Sequence, residues 1–476
     1  MIAPWAREEV AAADLGDERL DDRLAVLLSA LGRRPNLSIP AACRGRAEMQ
    51  AAYRFFDNDR VTFAKVLQPH VARSLERVCQ QEVVLFVQDS SEIDLTRPGQ
   101  DVAGAGALDG ARSGFLLHEM QAFTPDGTPL GTVWAEVINR TAGVSHAPAA
   151  EKRRRRQQQP IEAKESMRWL TGLRQARALA RQCPGTRCVC VADSEADIYE
   201  LFAEPRGEPP LHWLIRACQD RAVDRDPGNC LRARVLTTPA LYEVGLLVRG
   251  RHAKTAAETR ARRQDRPARK ANVEVRAGRV TLRPPYRPDG PLPPVTVNVV
   301  LVREPNPPPG ATAVEWVLVT TLPIDAPGQV KAVVGYYCVR WCIEVYFRTL
   351  KSGCRIERRR FEHIDRVLPC LGLFLIVSWR TLLVCRLGRA CPEVGCEALF
   401  EPSEWKAVWA AVHRKRPPKK VPRLQAIVQL IASLGGHVKR RDGEPGVQTM
   451  WVGLQRMYDL AWAWDTFGPD GKVSGA

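Results

Sequence analysis

At 476 residues, 45% of them apolar and with few low-complexity tracts, the chain reads as a folded soluble protein with room for two or three domains and a sizeable core. A net charge of +17 and a pI near 9.5 point to a polyanionic partner, most simply nucleic acid, with acidic membrane surfaces as the other option. The opening MIAPWAREEV has no long apolar core, which argues against a secretory signal. The 14 cysteines form no paired C-x2-C set, which argues against structural zinc, so buried free thiols in a reducing cytoplasm are expected.

In chain order, residues 1 to about 70 read as helical, with Leu20, Leu24, Leu27, Leu28 and Leu31 at helical spacing. After a turn near Pro35 and Pro40, Met49, Tyr53 and Phe56 share one face. Arg44, Arg46, Arg54 and Arg60 supply charge there, compatible with DNA docking and equally with an ordinary helical hairpin. Residues 83–87 form a short β-branched and aromatic run, a buried strand that ends at Gln88 and Asp89. Two more strands, 115–123 and 131–137, continue as a β-meander with a turn at Thr124, Pro125, Asp126 and Gly127.

A basic loop at 152–156 reads as solvated, and a helix carrying Trp169 spans about 161–182. A second short strand, 187–192, also ends in an aspartate, Asp193. Asp193, Glu195 and Asp197 then suit the start of the helix opened by SEADIYELF. Arg216 closes a strand at 211–216 and lies near Asp193 if the two strands are neighbours. Strand-like alternation at 271–282, 295–303 and 314–320 reads as a β insertion, with Arg260, Arg262, Arg263, Arg266, Arg269 and Lys270 crowding one connection. The apolar stretch 367–385 has nearly spanning length, but Arg380 makes it a buried core helix. Beyond residue 400 come the basic segment HRKRPPKKVPR (413–423), a helix, a break at Gly435-Gly436 and a Trp-rich terminal helix.

The richest stretch is YCVRWCIEVYFRTLK, residues 337–351, on a helix predicted over about 328–352. Helical periodicity gathers Tyr337, Arg340, Glu344, Arg348 and Lys351 on one face. Val339, Cys342, Ile343, Tyr346 and Leu350 lie opposite as a core stripe. A carboxylate among arginines, lysine and tyrosine suits a metal ion held against a phosphodiester, although a solvated polar face has the same pattern. Asp89 and Asp193 at strand ends, with Glu344, supply the oxygen-only donors that Mg²⁺ or Mn²⁺ prefers. The alternatives lack support: there is no GxxxxGK[ST] loop and no HExxH, and His118 within a strand reads as structural.

The spacing Tyr337-x2-Arg340-x3-Glu344-x6-Lys351, with AEMQAAYRFFDN, VQDSS around Asp89, VADSEADIYELF around Asp193, RPARKA and LGGH in order, resembles the insertion-sequence-four family of transposases. That resemblance implies an α/β fold: an RNase H-like catalytic core with a β-strand insertion, flanked by helical N- and C-terminal regions. It divides the chain into a helical DNA-binding domain (1–70), a catalytic domain (71–400, insertion at about 218–330) and a C-terminal region that dimerises (401–476).

Asp89, Asp193 and Glu344 are the implied metal-binding triad, holding two Mg²⁺ ions, with Mn²⁺ as a substitute. Tyr337, Arg340 and Lys351 match positions that grip phosphates. Arg348 adds charge on the same face, Trp316 matches a tryptophan that stacks on a flipped base, and Arg216 is a weaker carry-over. Ser194 after Asp193 departs from the family's arginine, and the N-terminal basic residues do not match one for one. The implied activity is cut-and-paste transposition on double-stranded DNA by a homodimer, through a hairpin, in the bacterial cytoplasm and with no membrane role. The alternatives are a metal-dependent nuclease without strand transfer and a non-catalytic DNA-binding regulator.

Overall fold

The computed structural model describes residues 2–43, 45–140, 151, 159–223, 229–248, 267–287, 290–438 and 445–469. Arg44, the basic run 152–156, Arg260, Arg262, Arg263 and Arg266 lie outside the described residues. The chain forms two compact units, Met1–His146, Gln182–Thr186 and Trp341–Ala476 in one, Ala147–Arg181 and Arg187–Arg340 in the other.

The first unit opens with helices α1 (Pro4–Glu9), α2 (Glu18–Arg33), α3 (Ile39–Cys43), α4 (Arg46–Phe56) and α5 (Phe63–Cys79). Asp17 and Thr62 cap α2 and α5 by accepting from the Arg19 and Lys65 amides, donors that a first turn otherwise leaves unpaired. Leu24, Leu27, Leu28 and Leu31 bury the predicted stripe.

Strands β1 (Val83–Asp94), β2 (Gly106–Ala107), β3 (Ser113–Phe123) and β4 (Pro129–Ile138) follow, with β3 antiparallel to the other three. The predicted turn is present: Thr124 N donates to Thr128 O at 3.0 Å, and Gly127 takes the left-handed φ of +87°. Strand β1 runs further than expected. Asp89 sits inside it rather than at its end, because Ser90, Ser91 and Glu92 stay in register with β3 through the pair Asp94 and Gly114. What does change near Asp89 is burial: residues 84–88 are buried and 89–92 only half-buried.

A buried polar cluster ties α1, α5 and β4 together. His70 Nδ1 lies 2.6 Å from Glu9, Arg77 donates to Glu9 at 2.8 Å and to Leu130 O at 2.6 Å, and His70 Nε2 accepts from Thr132 N at 3.1 Å. The bonds from His70 and Arg77 outweigh burial and hold the Glu9 carboxyl down to about 2. Gly131 is required beside it: its φ is +136°, and a Cβ there would lie 1.9 Å from Ser74 Oγ.

The second unit contains α6 (Met167–Ala180), β5 (Arg187–Ala192), α7 (Tyr199–Ala203), β6 (His212–Arg216), α8 (Leu231–Leu236), β7 (Tyr242–Val248), β8 (Arg269–Leu282), β9 (Val295–Arg303), β10 (Glu315–Thr320) and α9 (Pro327–Val339). Its strand order is β5-β6-β10-β9-β8-β7. Strands β5 and β6 are parallel, and every later pair is antiparallel. The predicted insertion strands are all present.

The chain then returns to the first unit with α10 (Trp341–Arg348), α11 (Ile364–Ala390), α12 (Pro402–His413), α13 (Leu424–Leu434) and α14 (Val447–Phe467). Helix α11 is long and apolar enough to cross a membrane, yet 83% of its most apolar window is buried among its own neighbours, as the core-helix reading expects. Helices α12, α13 and α14 enclose a core around Trp405, Val408, Ile427, Ile431, Met450 and Leu454.

One cysteine expectation is corrected. Cys79 at the end of α5 and Cys183 in the connector to β5 are disulfide-bonded, their Cα atoms 4.9 Å apart. The other described cysteines are in no disulfide and mostly buried, and burial pushes the Cys188 and Cys370 thiols up to about 12.

Glu119 on β3 is fully buried. Its Oε1 accepts from Gln121 Nε2 and Thr132 Oγ1, both at 2.8 Å, and the Tyr346 hydroxyl of α10 adjoins it. Burial raises its carboxyl to about 7, so the fold holds it as the neutral acid below about that pH. Its stabilising contribution is full below the unfolded value near 4.5 and is lost as pH rises through 7. Glu119→Gln keeps the shape and never ionises. Between about pH 4.5 and 7.5 the variant is expected to gain roughly 3 kcal/mol on the wild type in urea unfolding. Parallel stability curves would show that the carboxyl ionises in place without penalty.

Candidate active site

In the second unit the site is built by the parallel pairing of β5 and β6. Ala192 pairs with Ile215, so the next residues, Asp193 and Arg216, stand side by side at the strands' carboxyl ends. The sequence expectation for Arg216 is met. Asp193 is half-buried, and its Oδ1 accepts the Glu195 amide at 2.8 Å, capping a short 3-10 turn at Ser194–Ala196. The expected helix is therefore only this turn followed by the short α7.

Tyr337 and Arg340 close the cluster from α9. Trp316 on β10 packs against the Tyr337 ring, centroids 5.7 Å apart at 59°, and the Arg340 guanidinium lies 5.8 Å from that ring's centroid. Burial raises the Tyr337 phenol above its ordinary range; Arg340 and Arg216 pull it back, and Asp193 pushes it further up. Asp193, Arg216, Tyr337 and Arg340 therefore share one electrostatic neighbourhood. Tyr337 and Arg340 are only 2% and 5% exposed, so a wholly solvated polar face is ruled out.

The predicted long helix is interrupted. Helix α9 ends at Val339, Arg340 N bonds Tyr337 O at 3.1 Å, and α10 restarts at Trp341. After Arg348 a single π turn, Thr349–Gly353, carries Lys351, with Cys354 N bonding Thr349 O at 2.8 Å.

The first unit holds the other expected residues. On α10, Cys342, Ile343, Tyr346 and, beyond it, Leu350 are buried, while Glu344 and Arg348 are exposed, as the periodicity predicts. Helix α10 packs on β1. Asp89 pairs with Glu119 in register, so its side chain shares the sheet face of Glu119, the face that Tyr346 of α10 covers. Lys351 Nζ lies 3.3 Å from Glu357, both about 30% exposed (30% and 29%), and Glu357 also accepts from Asp94 N at 3.2 Å. An exposed pair of this kind contributes about 0–1 kcal/mol, so a phosphate competes easily for the lysine. His118 is structural, as read: it is fully buried between Ser90 (2.8 Å) and Gln88 (3.1 Å).

Taken alone, neither unit carries a group of three His, Cys, Asp or Glu side chains able to hold a metal among the described residues. The donors each supplies are hard carboxylate oxygens, half-buried at Asp89 and Asp193 and exposed at Glu344, which fits a hard divalent ion that retains water ligands.

Sequence reading missed one interaction beside Asp193. Asp197 is buried and accepts from the amides of Cys218 and Gln219, each at 2.8 Å, and from Arg221 Nε at 3.0 Å and its terminal nitrogen at 2.6 Å. Arg221 in turn lies over Phe202, 5.2 Å from the centroid. This carboxylate fixes the chain just past Arg216, and no local sequence signal marks its partner 24 residues away.

The fold, together with three family matches, marks the chain as a DNA transposase. Residues 2–61 match the family model described as transposase DNA-binding, 171–375 that of the transposase DDE domain, and 376–461 that of the transposase Tn5 dimerisation domain. The chain belongs to the insertion-sequence-four family and is similar to the transposase of transposon five. The fold of its catalytic part is RNase H-like, and domains of this class act with divalent metal ions. The matched DNA-binding and dimerisation models support DNA as partner and a dimer as the assembly.

Removing one side of a buried ion pair leaves an uncompensated charge, at about 3–5 kcal/mol. Asp197→Ala is expected to lower the unfolding free energy by that amount in urea titration. A loss below about 1 kcal/mol would mean that Arg221 finds another partner at little expense.

Proposed function

We propose that the protein performs cut-and-paste transposition at its element's ends, with Asp89, Asp193 and Glu344 as the carboxylates that bind two Mg²⁺ ions, Mn²⁺ substituting. The observation that carries this reading is the neighbourhood of Asp193: an aspartate at a strand end beside Arg216, Tyr337, Arg340 and Trp316, with the family's order of motifs around it. Residues 1–70 serve as the DNA-binding domain, 71–400 as the catalytic domain with its insertion at about 218–330, and 401–476 as the dimerisation region.

When bound, the ions would supply Lewis-acid activation of the attacking oxygen and charge stabilisation of the departing one. The chain's own part is positioning. Arg216, Arg340, Arg348 and Lys351 hold phosphates flanking the cut, the guanidiniums by paired donors. Tyr337 keeps Arg340 and Trp316 in place and presents its hydroxyl edge. Trp316 stacks on a base swung out of the duplex, a contact of about 1–3 kcal/mol. Water attacks the phosphorus at the element's end and the 3′-oxygen leaves. That 3′-hydroxyl attacks the opposite strand to close a hairpin, a second water reopens it, and the 3′ ends join target DNA.

Glu344→Ala is expected to abolish cleavage while end binding stays within about twofold, measured by cutting of a plasmid carrying the element's flanking DNA. Residual Mg²⁺-dependent cutting would remove Glu344 from the triad. Joined products in the same assay separate a transposase from a nuclease that cuts only. Lys351→Ala is expected to weaken binding and lower the salt slope by about one ion. An unchanged slope would place Lys351 off the phosphate path.

A further inference from the structure

The segment His413–Arg423 carries Arg414, Lys415, Arg416, Lys419, Lys420 and Arg423 and no acidic residue, and nothing in the reading above uses it. It joins α12 to α13 in the first unit, within the stretch matched to dimerisation. The five Lys and Arg from Arg414 to Lys420 are exposed. Arg423 pairs with Glu393 at 2.8 Å, and among the described residues none of the other five is paired with a carboxylate.

The segment is held in place rather than trailing in solvent. Its end is stitched to the loop before α12: Cys396 N donates to Pro422 O at 2.9 Å, Leu424 N to Val394 O at 2.6 Å, and Gln425 N to Pro392 O at 3.2 Å. Its start is fixed by Arg414, which closes α12 in the left-handed region at φ +54° with its N–H on Ala410 O, and by the His413 ring on Trp409 at 4.4 Å. Pro417, Pro418 and Pro422 stiffen what lies between. A folded chain that concentrates unpaired cations on a fixed loop bears their mutual repulsion with no return inside the fold. That return has to come from a polyanion.

We propose that this loop is a second DNA-docking surface, separate from the catalytic residues, which binds the phosphate backbone of duplex DNA without reading sequence. Fixed cations on proline-stiffened backbone lose little freedom on binding. Lysines and arginines with no base-reading partner positioned among them give contacts that any duplex satisfies. The proposal rests on the transposase reading for the identity of the polyanion, and its test does not need catalysis.

The full-length quadruple variant Lys415→Ala, Arg416→Ala, Lys419→Ala and Lys420→Ala is titrated with a duplex of unrelated sequence from low to moderate salt, beside the wild type. Each lost phosphate contact lowers the salt slope by about 0.9, so a fall of roughly 3–4 and an affinity drop of tenfold or more near 0.1 M salt are expected. Four charge-reversing glutamates at the same positions should deepen the loss. Urea unfolding of each variant is compared with wild type, and a variant of wild-type stability supplies the reading. An unchanged slope overturns the proposal. So does a loss confined to vesicles of anionic lipid or to acidic peptides, with duplex binding intact. A variant that keeps the expected slope change in a protein that joins no DNA would leave this surface standing and remove the transposition reading instead.

Discussion

Everything at the second unit's site follows from the register of one strand. Strand β6 lies between β5, parallel, and β10, antiparallel, and its central residues Leu214 and Ile215 are wholly buried. Side chains alternate along a strand, so a slip of one residue would drive Arg216 to the opposite face and put Ile215 in its place. The apolar residues that forbid the slip therefore also place the arginine beside Asp193. The buried carboxylate of Asp197 anchors the chain immediately afterwards, so both sides of Arg216 are fixed before any substrate arrives.

Charge is distributed with similar economy. Around Tyr337 the one carboxylate of Asp193 faces the two guanidiniums of Arg216 and Arg340. Asp89 lies directly across from Glu119. Like charges directly opposed on antiparallel strands are destabilising, and below about pH 7 a neutral Glu119 avoids that repulsion while filling its place in the core. The same neutral acid sits against Tyr346, two residues along α10 from Glu344. The buried Glu119 side chain thus adjoins both the strand that carries Asp89 and the helix that carries Glu344.

What the sequence made legible is what periodicity and apolar runs encode. Strands β5, β8 and β9, the buried side of α10 and the core placement of α11 could each be read from residue patterns a few positions long. The failures have a common cause: they depend on partners distant in the chain. Strand β1 continues past Asp89 only because β3 offers hydrogen bonds to polar residues that look like a loop. Cys79 meets Cys183 across a separation of 104 residues, and Asp197 meets Arg221 across 24. Helical periodicity put Tyr337 and Arg340 on the polar face and left open whether that face is solvated. It contains no term for Trp316, which covers that face from a strand in the insertion.

The burial of Tyr337 constrains how the basic helix face can work. A tyrosine removes about 150–250 Å² from water, and at roughly 25 cal/mol per Å² pulling it out would forfeit about 4–6 kcal/mol. One phosphate hydrogen bond returns only about 1.5–3 kcal/mol. Tyr337 is therefore firmly seated on Trp316, with the Arg340 guanidinium beside its ring. Arg348, exposed, and Lys351, partly exposed, follow on α10 and the π turn after the helix restarts at Trp341. Burial thus separates Tyr337 and Arg340, which are packed, from Arg348 and Lys351, which solvent reaches.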